Sequence, residues 1–401
     1  MIQRPRYLEK LRRWKDRDVI KVVTGVRRCG KSTLLRMFSD ELVASGVPRD
    51  CVITINLEQM ENDRLLDARA LHDEIVARAQ GKDTCYLFID EVQNVPDFQR
   101  VVDSLYTRDN IDLYITGSNA LLLGGRLATL LSGRYVEINM MPLSFSEYVS
   151  AFDAAESPSR LYSRYIANGA MPATLQFASN PIDLRDYLDG ILNTILLKDV
   201  AQRLNASNTI GLGALCSFMF DNIGNLTTIK RISDVLTSQG TKISGNTVAE
   251  YLSAITDSFV FYPAKRYDVR GGRLLKLQEK YYAVDLGMRR VALSGRVRDT
   301  GRILENVVFL ELRRRYGEVF VGRVGDLEID FVANEPAGPV YFQVAESVRS
   351  EETLARELAS LRAVRDNCPK TLITLDDADP CYHDGILQVN ALDWLLEKPI
   401  G

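Results

Sequence analysis

Val19-Ile20-Lys21-Val22-Val23-Thr24-Gly25-Val26-Arg27-Arg28-Cys29-Gly30-Lys31-Ser32 decides how this chain is read. The first six residues are a short, β-branched, largely apolar run, the pattern of a buried strand. The next eight are a complete G-x-x-x-x-G-K-S, and an amphipathic helical pattern, 32–45, follows. Strand, glycine loop and helix in that order make a phosphate cradle. Gly25 and Gly30 let backbone N–H groups curl round phosphate oxygens, and Arg28, Cys29 and Thr33 complete the nucleotide-binding stretch. Lys31 brings a mobile positive charge to the β- and γ-phosphates, the Ser32 hydroxyl is placed for Mg²⁺, and the helix N-terminus adds its dipole.

Working outward, further strands are expected at 51–57, 86–90, 113–116 and 135–139. Helices are expected at 71–80, 97–108 and 120–132. Short apolar strands alternating with helices predict a parallel sheet covered on both faces. Tyr86-Leu87-Phe88-Ile89-Asp90-Glu91 ends such a strand on two carboxylates about 60 residues after the phosphate loop. Asp90 is placed to hold Mg²⁺ and Glu91 to polarise an attacking water as general base. The second acid, with no N-K-x-D guanine signature anywhere, favours ATP hydrolysis over phosphoryl transfer. The strand at 113–116 runs into Gly117-Ser118-Asn119. Ser118 or Asn119 either reads the γ-phosphate from the carboxyl end of that strand or caps the following helix. Arg134 either complements a helix dipole or acts as an arginine finger on a neighbouring copy's γ-phosphate, which requires a ring.

The 401 residues suggest two to three domains, and 46% hydrophobic with 26% charged residues excludes wholesale disorder. No run of about 18 apolar residues occurs, so no membrane span is expected. The N-terminus has no signal-peptide pattern, and six scattered cysteines, none in C-x-x-C, fit a reducing cytoplasm. With two histidines a zinc site is not expected. Net charge is −3, so nucleic-acid contact would have to be local. Residues 1–36 carry twelve Lys/Arg against three acids, and residues 289–315 carry eight Arg against three acids. Each is either a contact patch or a solvated face.

Thr24 through Ser32, Ile115-Thr116-Gly117-Ser118, Gly133-Arg134-Tyr135 and Met141-Pro142-Leu143-Ser144-Phe145-Ser146-Glu147-Tyr148 together resemble bacterial and archaeal AAA-type ATPases with a C-terminal domain of unknown function. The resemblance runs along nearly the whole chain and departs at Lys198-Asp199-Val200, where Lys198 stands for the family's Arg. It implies an AAA+ core at 1–142, a helical lid at 143–205, a winged-helix segment at 206–290 and a C-terminal domain similar to PD-(D/E)xK nucleases at 291–401. The expected fold is thus α/β, with a second, mixed α/β domain. It also implies Mg-ATP and self-assembly into a ring such as a hexamer.

The winged-helix reading has helices at 228–239 and 246–257 and a basic hairpin at 259–282 carrying Lys265, Arg266, Arg270, Arg273 and Lys276. Ser244, Asn246, Thr247 and Glu250 make the second helix poor in cations, which argues against strong base readout. The module serves either DNA or protein docking. In the nuclease-like part, Glu305 and Asp330 match two metal-ligand positions, but Gln343-Val344-Ala345 replaces Glu-x-Lys, so nuclease activity is not expected. Two functions fit: a DNA-processing ATPase motor, or an ATP-gated protein-interaction switch.

Overall fold

The computed structural model describes residues 2–120, 133–204, 206, 208–295 and 299–398, in two compact units. The first, residues 1–142 with 257–259, holds α1 (Pro5–Trp14), β1 (Ile20–Thr24), α2 (Lys31–Ala44), β2 (Val52–Asn56), α3 (Ala68–Ala79), β3 (Cys85–Asp90), α4 (Phe98–Tyr106), β4 (Ile111–Gly117) and β5 (Tyr135–Asn139). The five strands form one sheet in the order β2-β3-β4-β1-β5, every pair parallel. Every residue of β1 and β3 is buried, as both faces of a parallel sheet under helices require. β4 lies between β1 and β3, so the ends of these three strands meet at one edge.

The sequence reading placed no helix before β1, because charge masks the pattern there. Pro5 starts α1, and Tyr7, Leu8 and Leu11 form its buried face. The helix expected at 120–132 lies, from residue 121 on, outside the described residues.

The second unit, residues 143–256 and 260–401, opens with α5 (Phe145–Val149), capped by a Ser144–Glu147 capping box. Then come α6 (Pro158–Asn168), α7 (Pro181–Thr194), α8 (Thr209–Asp221), α9 (Ile229–Ser238) and α10 (Gly245–Asp257). Lys198 sits in a π-helical stretch, Ile195–Ala201, that continues α7. β6 (Phe261–Asp268) and β7 (Arg273–Ala283) form the hairpin expected at 259–282. An isolated bridge joins Thr227 to Glu279, giving the order helix, bridge, helix, helix, hairpin.

The hairpin is not a free-standing wing. Arg266, Tyr267 and Asp268 pair in parallel with Val321, Gly322 and Arg323 of β8 (Val319–Val324). After α11 (Leu286–Ala292), α12 (Thr300–Tyr316) and β8 come β9 (Leu327–Glu335), β10 (Gly338–Ala345), α13 (Glu351–Arg362), β11 (Lys370–Thr374), β12 (Cys381–His383), β13 (Ile386–Asn390) and α14 (Ala391–Leu395). The result is one mixed eight-stranded sheet, β12-β13-β11-β10-β9-β8-β6-β7, which runs across residues 290/291.

Asp285 pins this unit internally. Its buried carboxylate caps α11 at Met288 N (2.8 Å) and accepts from Ala170 N at 2.6 Å. A Cβ on Gly169 would stand 2.5 Å from Asp285 Oδ1, and φ there is +81°, so glycine is required twice over. Asp285→Ala strands two buried N–H groups and is expected to cost about 2–3 kcal/mol in urea unfolding; an unchanged midpoint would refute this role.

Candidate nucleotide site

The phosphate loop is shaped by its backbone. Gly25 has φ +147° and Gly30 φ +107°, and a Cβ on Gly25 would meet Met140 O at 2.0 Å. Arg28 takes φ +69° without being glycine. Gly30 is the N-cap of α2, whose first residue is Lys31. Lys31 is 4% exposed; its Nζ donates to Gly25 O (3.0 Å) and Val26 O (3.4 Å) and lies 3.6 Å from Glu91 Oε1. Ser32 is exposed and Thr33 half-buried at the next two positions.

β3 delivers the carboxylates to the same edge. Asp90 is buried; its Oδ1 accepts from Thr116 Oγ1 (2.5 Å) and its Oδ2 from Asn56 Nδ2 (3.1 Å). Burial pushes the Asp90 carboxyl above the ordinary carboxylate value, against hydrogen bonds from Ser32 and Thr116 that pull it down. A buried carboxyl raised in this way, touching a serine hydroxyl, suits a cation. Among the described residues no group of three or more His, Cys, Asp or Glu is arranged for a metal. Mg²⁺ does not need one, since it binds one or two carboxylates and takes its other ligands from phosphates and water.

Glu91 follows with φ +56°, and its N–H donates to Thr116 Oγ1 at 2.9 Å. Gln93 Nε2 donates to Glu91 Oε2. Ser118, buried, and Asn119, half-buried, follow β4. Gly25, Arg28, Cys29, Gly30, Lys31, Ser32, Thr33, Asp90, Glu91, Ser118 and Asn119 all sit on loops or element ends at the carboxyl side of β1, β3 and β4.

Arg134 does not join them. Its carbonyl accepts from Ile20 N at the amino end of β1, and its guanidinium bonds Asp103 Oδ1 (3.0 Å) and lies 5.5 Å from the Tyr106 ring centroid. A five-residue strand separates this edge from the phosphate loop, about 15 Å.

Sequence reasoning missed Thr116 and Asn56 as partners of Asp90. Their part depends on which strands are neighbours, and no local spacing encodes that.

A family model described as AAA domain matches residues 17–149. An uncharacterized protein of Haemophilus influenzae is 40% identical over 402 residues, 99% of this chain and 99% of its own. The chain belongs to the P-loop AAA-type ATPase family. A second model, described as Domain of unknown function (DUF8612), matches residues 159–299 of this AAA-type protein. An uncharacterized protein of Methanocaldococcus jannaschii is 29% identical over 89% of this chain and 82% of its own. In fold, the AAA-type chain is similar to the Walker-type ATPase of Pyrococcus abyssi, with TM-score 0.50 and 15% identity over 73% of this chain and 96% of that one. Among the described residues no helix is long and apolar enough to cross a membrane.

The second unit of this AAA-type protein has a charged centre of its own. Lys280 Nζ lies 3.0 Å from Glu305 Oε1 and 2.9 Å from Glu328 Oε1, and Tyr282 OH donates to Glu305 at 2.6 Å. Burial would lower the Lys280 pKa, but Glu305, Asp330 and Glu328 overcome it and hold the ammonium above its ordinary value. Burial, reinforced by Glu305, pushes Asp330 up to about 8. A cavity of about 550 Å³, lined by Arg231, Arg302, Lys280, Glu305 and Glu328, opens on the cluster. Gln343 Oε1 accepts from Asp330 N at 3.3 Å, and Ala345 packs against the hydrophobic core. Lysine is thus absent at residue 345 but arrives from β7, which the sequence reading did not anticipate.

Of the arginines of 289–315, which the sequence left as either a contact patch or a solvated face, four are engaged within the unit. Arg289 is 2% exposed and donates to Phe220 O at 2.7 Å. Arg314 and Arg315 are held by buried Glu311, and Arg315 also covers the Trp394 ring at 3.9 Å. Arg313 lies over Tyr262. Arg296 and Arg298 lie outside the described residues. Arg290 is exposed and Arg302 lines the cavity, so these two remain available for contact.

Proposed function

We propose that the chain hydrolyses Mg-ATP and works in the cytoplasm as a ring of identical copies that grips and remodels DNA. The approach of Lys31, Glu91 and the Asp90–Ser32 pair at one sheet edge carries the ATPase part. Lys31 exchanges the Gly25 and Val26 carbonyls for β- and γ-phosphate oxygens. Ser32 and Asp90 hold Mg²⁺, which when bound neutralises phosphate charge. Glu91 takes the proton of the attacking water, and Ser118 or Asn119 senses the γ-phosphate.

Arg134, at the far edge from its own loop, has no path to its own nucleotide and fits a finger acting in trans. A mixture of Arg134→Ala and Lys31→Ala subunits is expected to recover ATPase activity that neither has alone, because one interface in the mixture is intact. No recovery in a co-assembled mixture, or full activity of a monomer, counts against this role.

DNA contact is assigned to the hairpin, where Lys265, Arg270 and Arg273 are exposed. Arg266 is half-buried and donates to Gln278, so it is a weaker candidate. Neutralising the three exposed cations is expected to weaken binding to all sequences alike and to lower the log–log salt slope by about one unit per lost contact. Basal ATPase should not change. No cleavage is expected with Mg²⁺ or Mn²⁺, since a lysine ammonium occupies the space between Glu305 and Glu328; metal-dependent cutting lost in Asp330→Ala would reverse that reading.

A second reading, an ATP-gated protein-docking switch, draws support from the internal use of Arg289, Arg313, Arg314 and Arg315. ATPase rates with and without single-stranded, duplex and branched DNA separate the two. Stimulation favours the motor; no response, with no binding at low salt, favours docking.

A further inference from the structure

Arg4 stands just before α1, far in sequence from the nucleotide loop, yet it is 3% exposed and fastened to that loop from behind. Its NH1 donates to Cys29 O at 3.1 Å, and its NH2 donates to Met141 O at 2.7 Å and Pro142 O at 3.4 Å. Its guanidinium carbon lies 4.9 Å from the Tyr7 ring centroid, and Tyr7 OH accepts from Met141 N at 3.1 Å. One side chain therefore joins the phosphate loop to the segment that leaves β5.

The Cys29 carbonyl matters because a peptide unit is planar and trans. Its C=O and the following N–H point in opposite directions. Holding Cys29 O from behind turns the Gly30 N–H to the front, at the N-terminus of α2. Gly30, at φ +107°, pays no side-chain clash for either orientation of that peptide, so the loop needs an outside restraint. A planar guanidinium has several donors in a fixed fork and can serve carbonyls on two segments at once. A lysine ammonium at the end of a flexible stem cannot fix both directions together.

We propose that Arg4 is a positioning residue for nucleotide binding: it fixes the Cys29–Gly30 peptide so that the Gly30 N–H faces the phosphates, using the Met141-Pro142 backbone as its anchor. This rests on the ATP-binding reading above. It gives the N-terminal segment, which carries no phosphate-binding motif, a direct part in phosphate affinity.

The test is equilibrium binding of a fluorescent ATP analogue to the full chain, with hydrogen exchange at the Gly30 amide as a readout independent of turnover. Arg4→Met is expected to bind the analogue about ten- to a hundredfold more weakly, the loss of one hydrogen bond to a charged group. Its Gly30 amide should no longer be protected by the analogue. Arg4→Lys, which keeps the charge but has its N–H donors on one nitrogen instead of a fork, should fall between wild type and Arg4→Met, and it carries the test if Arg4→Met does not fold. Tyr7→Phe removes the hydroxyl under Met141 N but leaves Arg4 in place, and should bind within about threefold of wild type.

Wild-type affinity with full Gly30 protection in a folded Arg4 variant overturns the proposal. So does an equal loss in Tyr7→Phe, because the effect would then belong to the packing of α1. If the unaltered protein fails to bind the analogue, the ATP-binding reading falls instead.

Discussion

Glu91→Gln is expected to slow ATP hydrolysis by about a hundred- to ten-thousandfold while the protein keeps ATP bound. The amide preserves the shape of the side chain and cannot accept the water's proton. Glu91 is held in a left-handed backbone conformation with its N–H on Thr116, and its carboxylate lies between Gln93 and Lys31. Such a costly conformation persists only where its surroundings hold it in place. The check is the rate at saturating ATP together with nucleotide retained after gel filtration. A wild-type rate removes Glu91 from the mechanism, whereas loss of both rate and retention would make it a binding residue.

The second large effect belongs to Lys280. Lys280→Met takes away the cation between Glu305 and Glu328 and leaves two half-buried carboxylates without it, a change expected to cost about 2–3 kcal/mol at neutral pH. The loss should shrink in acid, where the carboxylates protonate. The wild-type protein carries a related signature. Burial, with Glu305 beside it, pushes the folded Asp330 carboxyl up to about 8, whereas the unfolded chain leaves it in the ordinary carboxylate range. The folded state therefore holds the extra proton between those values, and stability falls as pH rises from about 4 toward 8. Asp330→Asn should flatten that slope. Denaturant midpoints measured across this range read both effects, and a pH-independent difference between Lys280→Met and wild type would rule out an electrostatic origin.

The phosphate loop was legible because its chemistry is local: Gly25 to Ser32 are eight consecutive residues, and the strand before and helix after announce themselves by periodicity. Asp90 and Glu91 were legible for the same reason, at the end of one apolar run. Thr116 and Asn56 were not, because they reach Asp90 sideways from β4 and β2, and strand order is not written in any window of sequence. Arg4 hid behind charge: among the twelve cations of residues 1–36 nothing distinguished it as one of the buried ones, with Lys21 and Lys31. At 289–315 charge counting could not single out Arg289, Arg314 and Arg315 as internally engaged, since it cannot register Glu311 or the Phe220 carbonyl as partners. In the second unit the hairpin at 259–282 was readable along the chain. Lys280 was not, because its carboxylates lie on α12 and β9, and only the shared sheet brings them together.

That shared sheet bears on how such a protein can be inherited in pieces. A boundary at residue 290/291 looks natural along the chain, between a helical half and an α/β half. Separation there would strip β8 of its neighbour β6 and take Lys280 from Glu305. It would also break the paired bonds between Asn306 and the backbone of Ala283, at 2.7 and 2.9 Å. Each fragment would expose a raw sheet edge, an invitation to aggregate. Recombination between relatives should therefore tolerate exchange of the α/β half only when the hairpin travels with it, and hybrid genes joined at the apparent linker should yield insoluble protein.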